Sequence, residues 1–235
     1  MKRRVLLLSI ALNLAFLTGL LALVRIKGGF DYLWMKTSSM IRGQGFMLDY
    51  NEHYFDRKEL FAQMPKRGDN VFIIGDSLVE HGDWAELLDD PTVRNRGILG
   101  DDSLGVLHRI EEDLKPIPPR KVYLLVGIND LFREVSEERI IGNFEDILQR
   151  ISSLAPDCSI LVHGILPIDQ SRAPQPVASS TIRSLNARLQ ELCAERGVAF
   201  LETFKEFDED GDGRLDEGFS RDGLHLNAKG YFLWK

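Results

Sequence analysis

Cysteine is nearly absent from this chain. Its 235 residues include only Cys158 and Cys193. Two thiols cannot build a disulfide framework, so an ordinary core must hold the fold, and two separate buried thiols are expected. The sequence also lacks low-complexity tracts and any repeat at a solenoid period, which excludes repeat architectures. Basic excess is missing as well. The formal charge is −7, and the five cations of residues 1–27 (Lys2, Arg3, Arg4, Arg25, Lys27), with no acid among them, leave −12 on the remainder. An acidic body has no basic face for phosphates, which excludes nucleic acid as a partner. What is present, 44% hydrophobic and 28% charged residues, is the composition of a globular protein with one sizeable core.

Residues 5–24 form an uncharged apolar run, VLLLSIALNLAFLTGLLALV. Twenty helical residues at about 1.5 Å each span about 30 Å, the thickness of a bilayer core. The run is longer than a signal-peptide core and has no small-x-small cleavage site at its end. Residues 1–27 therefore read as an uncleaved signal anchor, a membrane helix. Three cations precede it and two follow, which puts the N-terminus in the cytoplasm and the body in the periplasm or outside the cell. Residues 28–49, with four glycines, read as a juxtamembrane linker, and 50–235 as the functional domain.

That domain alternates strand and helix signals. Apolar runs at 70–74, 122–126, 159–165 and 198–201 read as strands, and 93–97 as a weaker one. Helical patterns fill 50–64, 103–114, 136–154 and 180–196, the third opened by Ser136 as cap. Five strands alternating with helices predict an α/β fold with a central five-stranded parallel sheet. In such sheets, function gathers at the carboxyl ends of the strands.

Four motifs fall there. Gly75-Asp76-Ser77-Leu78 follows the first strand; a serine at a strand-to-helix turn presents its hydroxyl and its N–H at the sheet edge. This is not the Gly-x-Ser-x-Gly elbow, and a serine in a turn is commonly just a helix cap. Asn95-Arg96-Gly97-Ile98-Leu99-Gly100-Asp101-Asp102 follows the second strand, where a glycine lets the backbone approach a ligand or simply makes a turn. Gly127-Ile128-Asn129-Asp130 follows the third; an Asn amide there can donate to a developing oxyanion or merely order a turn. Asp222-Gly223-Leu224-His225 lies near the C-terminus. Its imidazole can act as a base that the acid orients, unless the pair is plain solvated loop.

Taken together, these blocks resemble the GDSL esterases, also called SGNH hydrolases, whose signature residues Ser, Gly, Asn and His appear in order as Ser77, Gly100, Asn129 and His225. Trp84-Ala85-Glu86-Leu87-Leu88, residues 94–101 and 124–131, Leu166-Pro167 and residues 222–231 are similar to the bacterial branch related to platelet-activating-factor acetylhydrolase subunits. The resemblance covers residues 50–235 and implies a three-layer α/β/α flavodoxin-like fold. It also implies Ser77 as nucleophile, His225 as base and Asp222 as its orienting acid. The oxyanion hole would comprise the Ser77 and Gly100 N–H groups and the Asn129 amide. Gly97 is a rival for Gly100. No metal or organic cofactor is implied. An acetyl ester on a carbohydrate is the first substrate expectation and a lipid ester the second; a non-catalytic binding protein on the same fold is the alternative.

Other signals are weaker. Residues 208–216 carry acids at positions 1, 3 and 5 and Gly213 at 6 of a calcium-type loop, but Phe219 holds position 12, where a bidentate Glu belongs. An acidic loop leading to Asp222 is the preferred reading. His163 is expected in the core or at a strand end, and His81 and His108 at the surface. Asp76 and Asp130 read as loop-ordering acids. Arg94 and Arg133 are not distinguishable from ordinary surface charge.

Overall fold

The computed structural model describes Asn13, Leu17, Thr18 and residues 52–235. The anchor expected at 1–27 and the linker at 28–49 thus lie outside the described residues, apart from those three. Among the described residues no helix is long and apolar enough to cross a membrane. A compact body begins at Arg57.

Helix α1 (Glu52–Gln63) leads to β1 (Val71–Gly75), the short helices α2 (Ser77–Glu80) and α3 (Trp84–Leu87), then β2 (Val93–Gly97) and α4 (Ser103–Leu114). Next come β3 (Lys121–Leu125), α5 (Ile128–Phe132), α6 (Glu137–Leu154) and β4 (Ser159–His163). The chain continues through α7 (Ser179–Arg196), β5 (Ala199–Leu201) and two 3-10 turns to α8 (Ala228–Trp234). All five strands are parallel, in the order β2-β1-β3-β4-β5. This matches the expected five-stranded α/β sheet.

Strand β1 is buried along its whole length, so it reads as an apolar run rather than an alternation. Phe72, Ile74, Val122, Leu124 and Val162 are fully buried on one face. Phe61 lies on that side, with the buried Arg96 guanidinium sandwiched 4.9 Å from its ring and 4.7 Å from that of Phe72. The other face carries Val71, Ile73, Leu125 and Val93. These pack with Trp84, Phe207, Leu215, Phe219, Leu226 and Tyr231. The C-terminal segment that carries Asp222 and His225 is therefore folded against the sheet by its own apolar residues.

Strand order sets where a site can form. The chain moves from β1 outward to β2, then returns past β1 to β3 and onward. The reversal opens a crevice at the carboxyl ends of β1 and β3. Register sharpens this: Gly75 stands opposite Gly97 on one side and Leu125 on the other. Ser77, Gly100 and Asn129 follow that single rung by a few residues each.

Two local expectations are corrected. Strand β4 stops at His163 rather than 165, because the Ile165 N–H donates to Asn186 Oδ1 at 2.7 Å and its carbonyl accepts from Asn186 Nδ2 at 2.9 Å. A side chain on α7 replaces the strand ladder there. Ser136 does precede α6, but its side chain makes no capping hydrogen bond; its carbonyl accepts from Arg139 and Ile140 instead.

Candidate active site

The serine turn is built by its neighbours. Asp76 Oδ1 accepts from the Leu78 N–H at 2.9 Å and caps α2. Trp84 Nε1 donates to the Val79 carbonyl at 2.7 Å, and Asn95 Nδ2 to the same carbonyl at 2.8 Å. Ser77 is thereby held at the mouth, largely buried. Burial drives the Asp76 carboxyl up to about 7, against hydrogen bonding from Leu78 and the nearby His225 charge. Its Oδ2 has no hydrogen-bond partner.

The C-terminal loop brings the other members. His225 Nε2 lies 3.0 Å from Ser77 Oγ, across 148 residues of sequence. Its Nδ1 lies 2.7 Å from Asp222 Oδ2. The second oxygen of Asp222 accepts from the N–H groups of His225 at 2.8 Å and Leu224 at 3.0 Å. Partial burial would raise the Asp222 carboxyl. The His225 ring bond and these two N–H bonds outweigh it and hold the carboxyl down at about 2. A carboxylate so fixed selects the tautomer with hydrogen on Nδ1 and leaves Nε2 free to accept from the serine hydroxyl.

Gly100 and Gly97 are separated by what their N–H groups do. The Gly97 N–H donates to Asn95 Oδ1 at 2.8 Å, and a Cβ there would stand 2.2 Å from the Glu80 nitrogen. That glycine serves the close approach of α2 to β2. Gly100 has φ +75°, a left-handed conformation suited to glycine. Its N–H and that of Ser77 donate to no group among the described residues. Asn129 Nδ2 donates one hydrogen to the Asp101 carbonyl at 2.8 Å; the other stays available. The geometry thus groups Ser77, His225 and Asp222 in one hydrogen-bonded chain, and ties the Gly100 loop to Asn129 beside the same rung.

Beneath lies a layer of buried charge. Arg109 donates to Asp101 Oδ2 at 2.9 Å, Asp113 Oδ2 at 2.5 Å and the Arg96 carbonyl at 2.8 Å. Burial outweighs Arg109 in setting Asp101, whose carboxyl rises to about 7. Asp130 accepts from the Ser103 N–H at 2.9 Å and its hydroxyl at 2.5 Å, and burial together with Asp102 pushes its carboxyl up. Asp76 and Asp130 are the loop-ordering acids their positions suggested.

Sequence reasoning missed three neighbours of the site. The ring of exposed His81 lies 5.2 Å from that of His225. Arg133 bonds Gly100, Asp102 and Asn129 rather than standing as surface charge. Tyr231 reaches the serine turn through the Leu78 carbonyl. His81 follows Ser77, and Arg133 follows Asn129, by four residues, the one-turn spacing that puts side chains on one helix side. Arg94 instead donates to the carbonyls of Pro91 and Val93.

His163 ends β4 nearly buried; its Nε2 accepts from Trp234 Nε1 at 3.1 Å, and burial lowers its pKa to about 4. His108 is half-buried on α4, not openly exposed. Cys158 and Cys193 are both free thiols, and burial raises each to about 11. In the acidic loop, ligand atoms of Asp208, Asp210 and Asp212 lie within 4.8 Å of one another. Asp208 is already bonded by Arg183 and by the Gly213 N–H, each at 2.9 Å. Phe219, at the position where a calcium loop needs its closing Glu, is buried in the core.

Comparison with known proteins agrees with this architecture. Residues 73–233 match the GDSL-like lipase/acylhydrolase family. The chain is 31% identical over 172 residues to platelet-activating factor acetylhydrolase IB subunit alpha2 of Bos taurus, covering 69% of this chain and 71% of that protein. A solved structure from Streptococcus pneumonia, described as a platelet activating factor, superimposes with a TM-score of 0.72 at 27% identity, covering 77% of this chain and 89% of that one. An acetylxylan esterase from Geobacillus stearothermophilus shares the fold, with a TM-score of 0.58 at 18% identity over 71% of this chain and 90% of its own. A five-stranded parallel sheet, a serine turn at its switch point and a match spanning most of the domain place this chain in the GDSL-like lipase/acylhydrolase family, a family of ester-bond hydrolases.

Proposed function

We propose that the protein is a serine esterase that removes short acyl groups, acetyl above all, through Ser77, His225 and Asp222. One observation carries this reading: the unbroken chain from Asp222 through His225 to Ser77, with contacts of 2.7 and 3.0 Å.

In the first half-reaction Ser77 Oγ attacks the ester carbonyl while its proton passes to His225 Nε2. Asp222 keeps the ring oriented and offsets the imidazolium charge. The carbonyl oxygen becomes an oxyanion that accepts from the N–H groups of Ser77 and Gly100 and from Asn129 Nδ2. Such preorganised donors act on charge that exists only in the transition state, and each contributes about 3–4 kcal/mol. Collapse expels the alcohol, which takes the proton from His225 and leaves an acyl-Ser77 ester. Water, deprotonated by the same imidazole, then releases the acid and restores the serine.

The acetyl preference is supported by the curated relatives, which are named acetylhydrolases. For the alcohol, a carbohydrate is the first reading, because the exposed side chains that meet the His225 ring, those of His81 and Asp222, are polar. A lipid ester is the second. It is favoured by the apolar run at 5–24, which as a signal anchor would hold the domain at the outer face of a membrane, and by the relatives' platelet-activating factor substrate name. The test is kcat/KM of the full chain on nitrophenyl esters of increasing acyl length, followed by acetylated xylooligosaccharide against lysophospholipid. Highest activity on acetyl and on the sugar ester supports the first reading. Activity that rises with chain length replaces it with the second, and no ester turnover at all refutes both.

A further inference from the structure

We infer that Arg133 is a positioning residue that locks the two segments of the oxyanion hole into working geometry, an inference that rests on the esterase reading above. The donors come from different segments: Gly100 from the β2–α4 connection and Asn129 from helix α5. One guanidinium touches the backbone of both. Arg133 Nη2 donates to the Gly100 carbonyl at 2.8 Å, and Nη1 lies 3.4 Å from the Asn129 carbonyl. Nη1 also donates at 3.1 Å to Asp102 Oδ2, and Asp102 is itself buried as the cap of α4, accepting from Gly105 at 2.8 Å. The cation is therefore fixed from behind by a buried acid and presses forward on the hole.

The clamp has work to do because Gly100 is the loosest point of the hole. It has no Cβ and sits at φ +75°, so its flanking peptides rotate with little steric resistance. The Gly100 N–H shares its peptide with the Leu99 carbonyl, and the Gly100 carbonyl belongs to the next peptide. Fixing that carbonyl restrains ψ at Gly100 and with it the Cα from which the N–H is aimed. Arg133 fixes the Gly100 carbonyl, and Asn129 Nδ2 fixes that of Asp101 at 2.8 Å. Two successive carbonyls that follow the Gly100 N–H are thus pinned. A planar fork serves several acceptors at once, which a single ammonium does less well.

The test uses the full chain with Arg133→Met and Arg133→Lys. Arg133→Met is expected to lower kcat on nitrophenyl acetate about 10-fold to 100-fold, the scale of a displaced catalytic group, with KM changed less than about threefold. Arg133→Lys should lie between. A trifluoromethyl ketone, which forms a tetrahedral adduct on the serine, should weaken in step with kcat/KM, whereas the methyl ketone that cannot hold the adduct should bind as before. Because the arginine acts through its neighbours, Arg133→Met should cost less in an Asn129→Ala background than alone. A kcat within about twofold of the parent protein in Arg133→Met overturns the inference while leaving the esterase reading intact. If Arg133→Met fails to fold, an unchanged kcat in Arg133→Lys does the same. If the parent protein turns over no ester, the esterase reading falls and takes this inference with it.

Discussion

Tyr231 donates its hydroxyl to the backbone carbonyl of Leu78 at 2.7 Å, joining positions 153 residues apart. Leu78 is the residue after Ser77, and Tyr231 lies on α8, just beyond His225. The Trp84 ring meets Tyr231 edge-on at 5.8 Å and donates to the next carbonyl of the same turn. One buried hydroxyl thus fastens the histidine segment to the serine turn, and burial raises its pKa, so it remains a donor across the ordinary pH range. Tyr231→Phe should cost about 1–2 kcal/mol by urea unfolding, because the Leu78 carbonyl loses its side-chain donor. It should also lower kcat more than it changes KM, since the imidazole loses its seat. Unchanged stability and kcat would show that the helix is held elsewhere.

Asp222 tests the tautomer argument. In Asp222→Asn the amide can offer an N–H to Nδ1, which moves the ring hydrogen to Nε2 and removes the acceptor facing Ser77. Turnover of nitrophenyl acetate should fall about 10³- to 10⁴-fold, as in comparable triads. The fold should be retained, because the carboxyl lies in a half-exposed loop. A loss below about tenfold would mean that the loop alone orients the ring.

Asp76 makes a prediction about stability and pH. Its carboxyl sits at about 7 in the folded protein against an ordinary 3.8, mainly through burial. Between those values the folded state holds a proton that the unfolded state has released. Stability from this group is therefore full below pH 3.8, declines as pH rises, and is gone above about 7. The slope cannot exceed about 1.4 kcal/mol per pH unit. Asp76→Asn keeps an oxygen to cap α2 but has nothing to ionise. Unfolding free energies of the two proteins, measured from pH 4 to 8, should converge or cross with this slope; parallel curves would contradict the raised value.

The site was more legible in the sequence than the means that hold it. Ser77, Gly100 and Asn129 each sit in a local block after a strand, and Asp222 with His225 in a block before α8, so short-range pattern and family likeness reach them. The switch point follows from strand order, which short apolar runs do not reveal. Arg133, Arg109 and Tyr231 act through contacts with residues far away in sequence. Within its own segment only the four-residue spacing from Asn129 marks Arg133, and nothing separates Tyr231 from a packed aromatic. The end of β4 was misjudged for the same reason: Asn186, 21 residues onward, satisfies the Ile165 backbone that a strand partner would otherwise take. Gly97 and Gly100 look alike in sequence and differ only in where the N–H goes.

The most direct test of the account is covalent labelling with a fluorophosphonate, read by peptide mass spectrometry beside nitrophenyl acetate turnover. The account predicts one adduct, on Ser77, with loss of turnover in proportion to labelling, and neither labelling nor turnover in Ser77→Ala. An adduct on another residue, or near-parental turnover by Ser77→Ala, would contradict it.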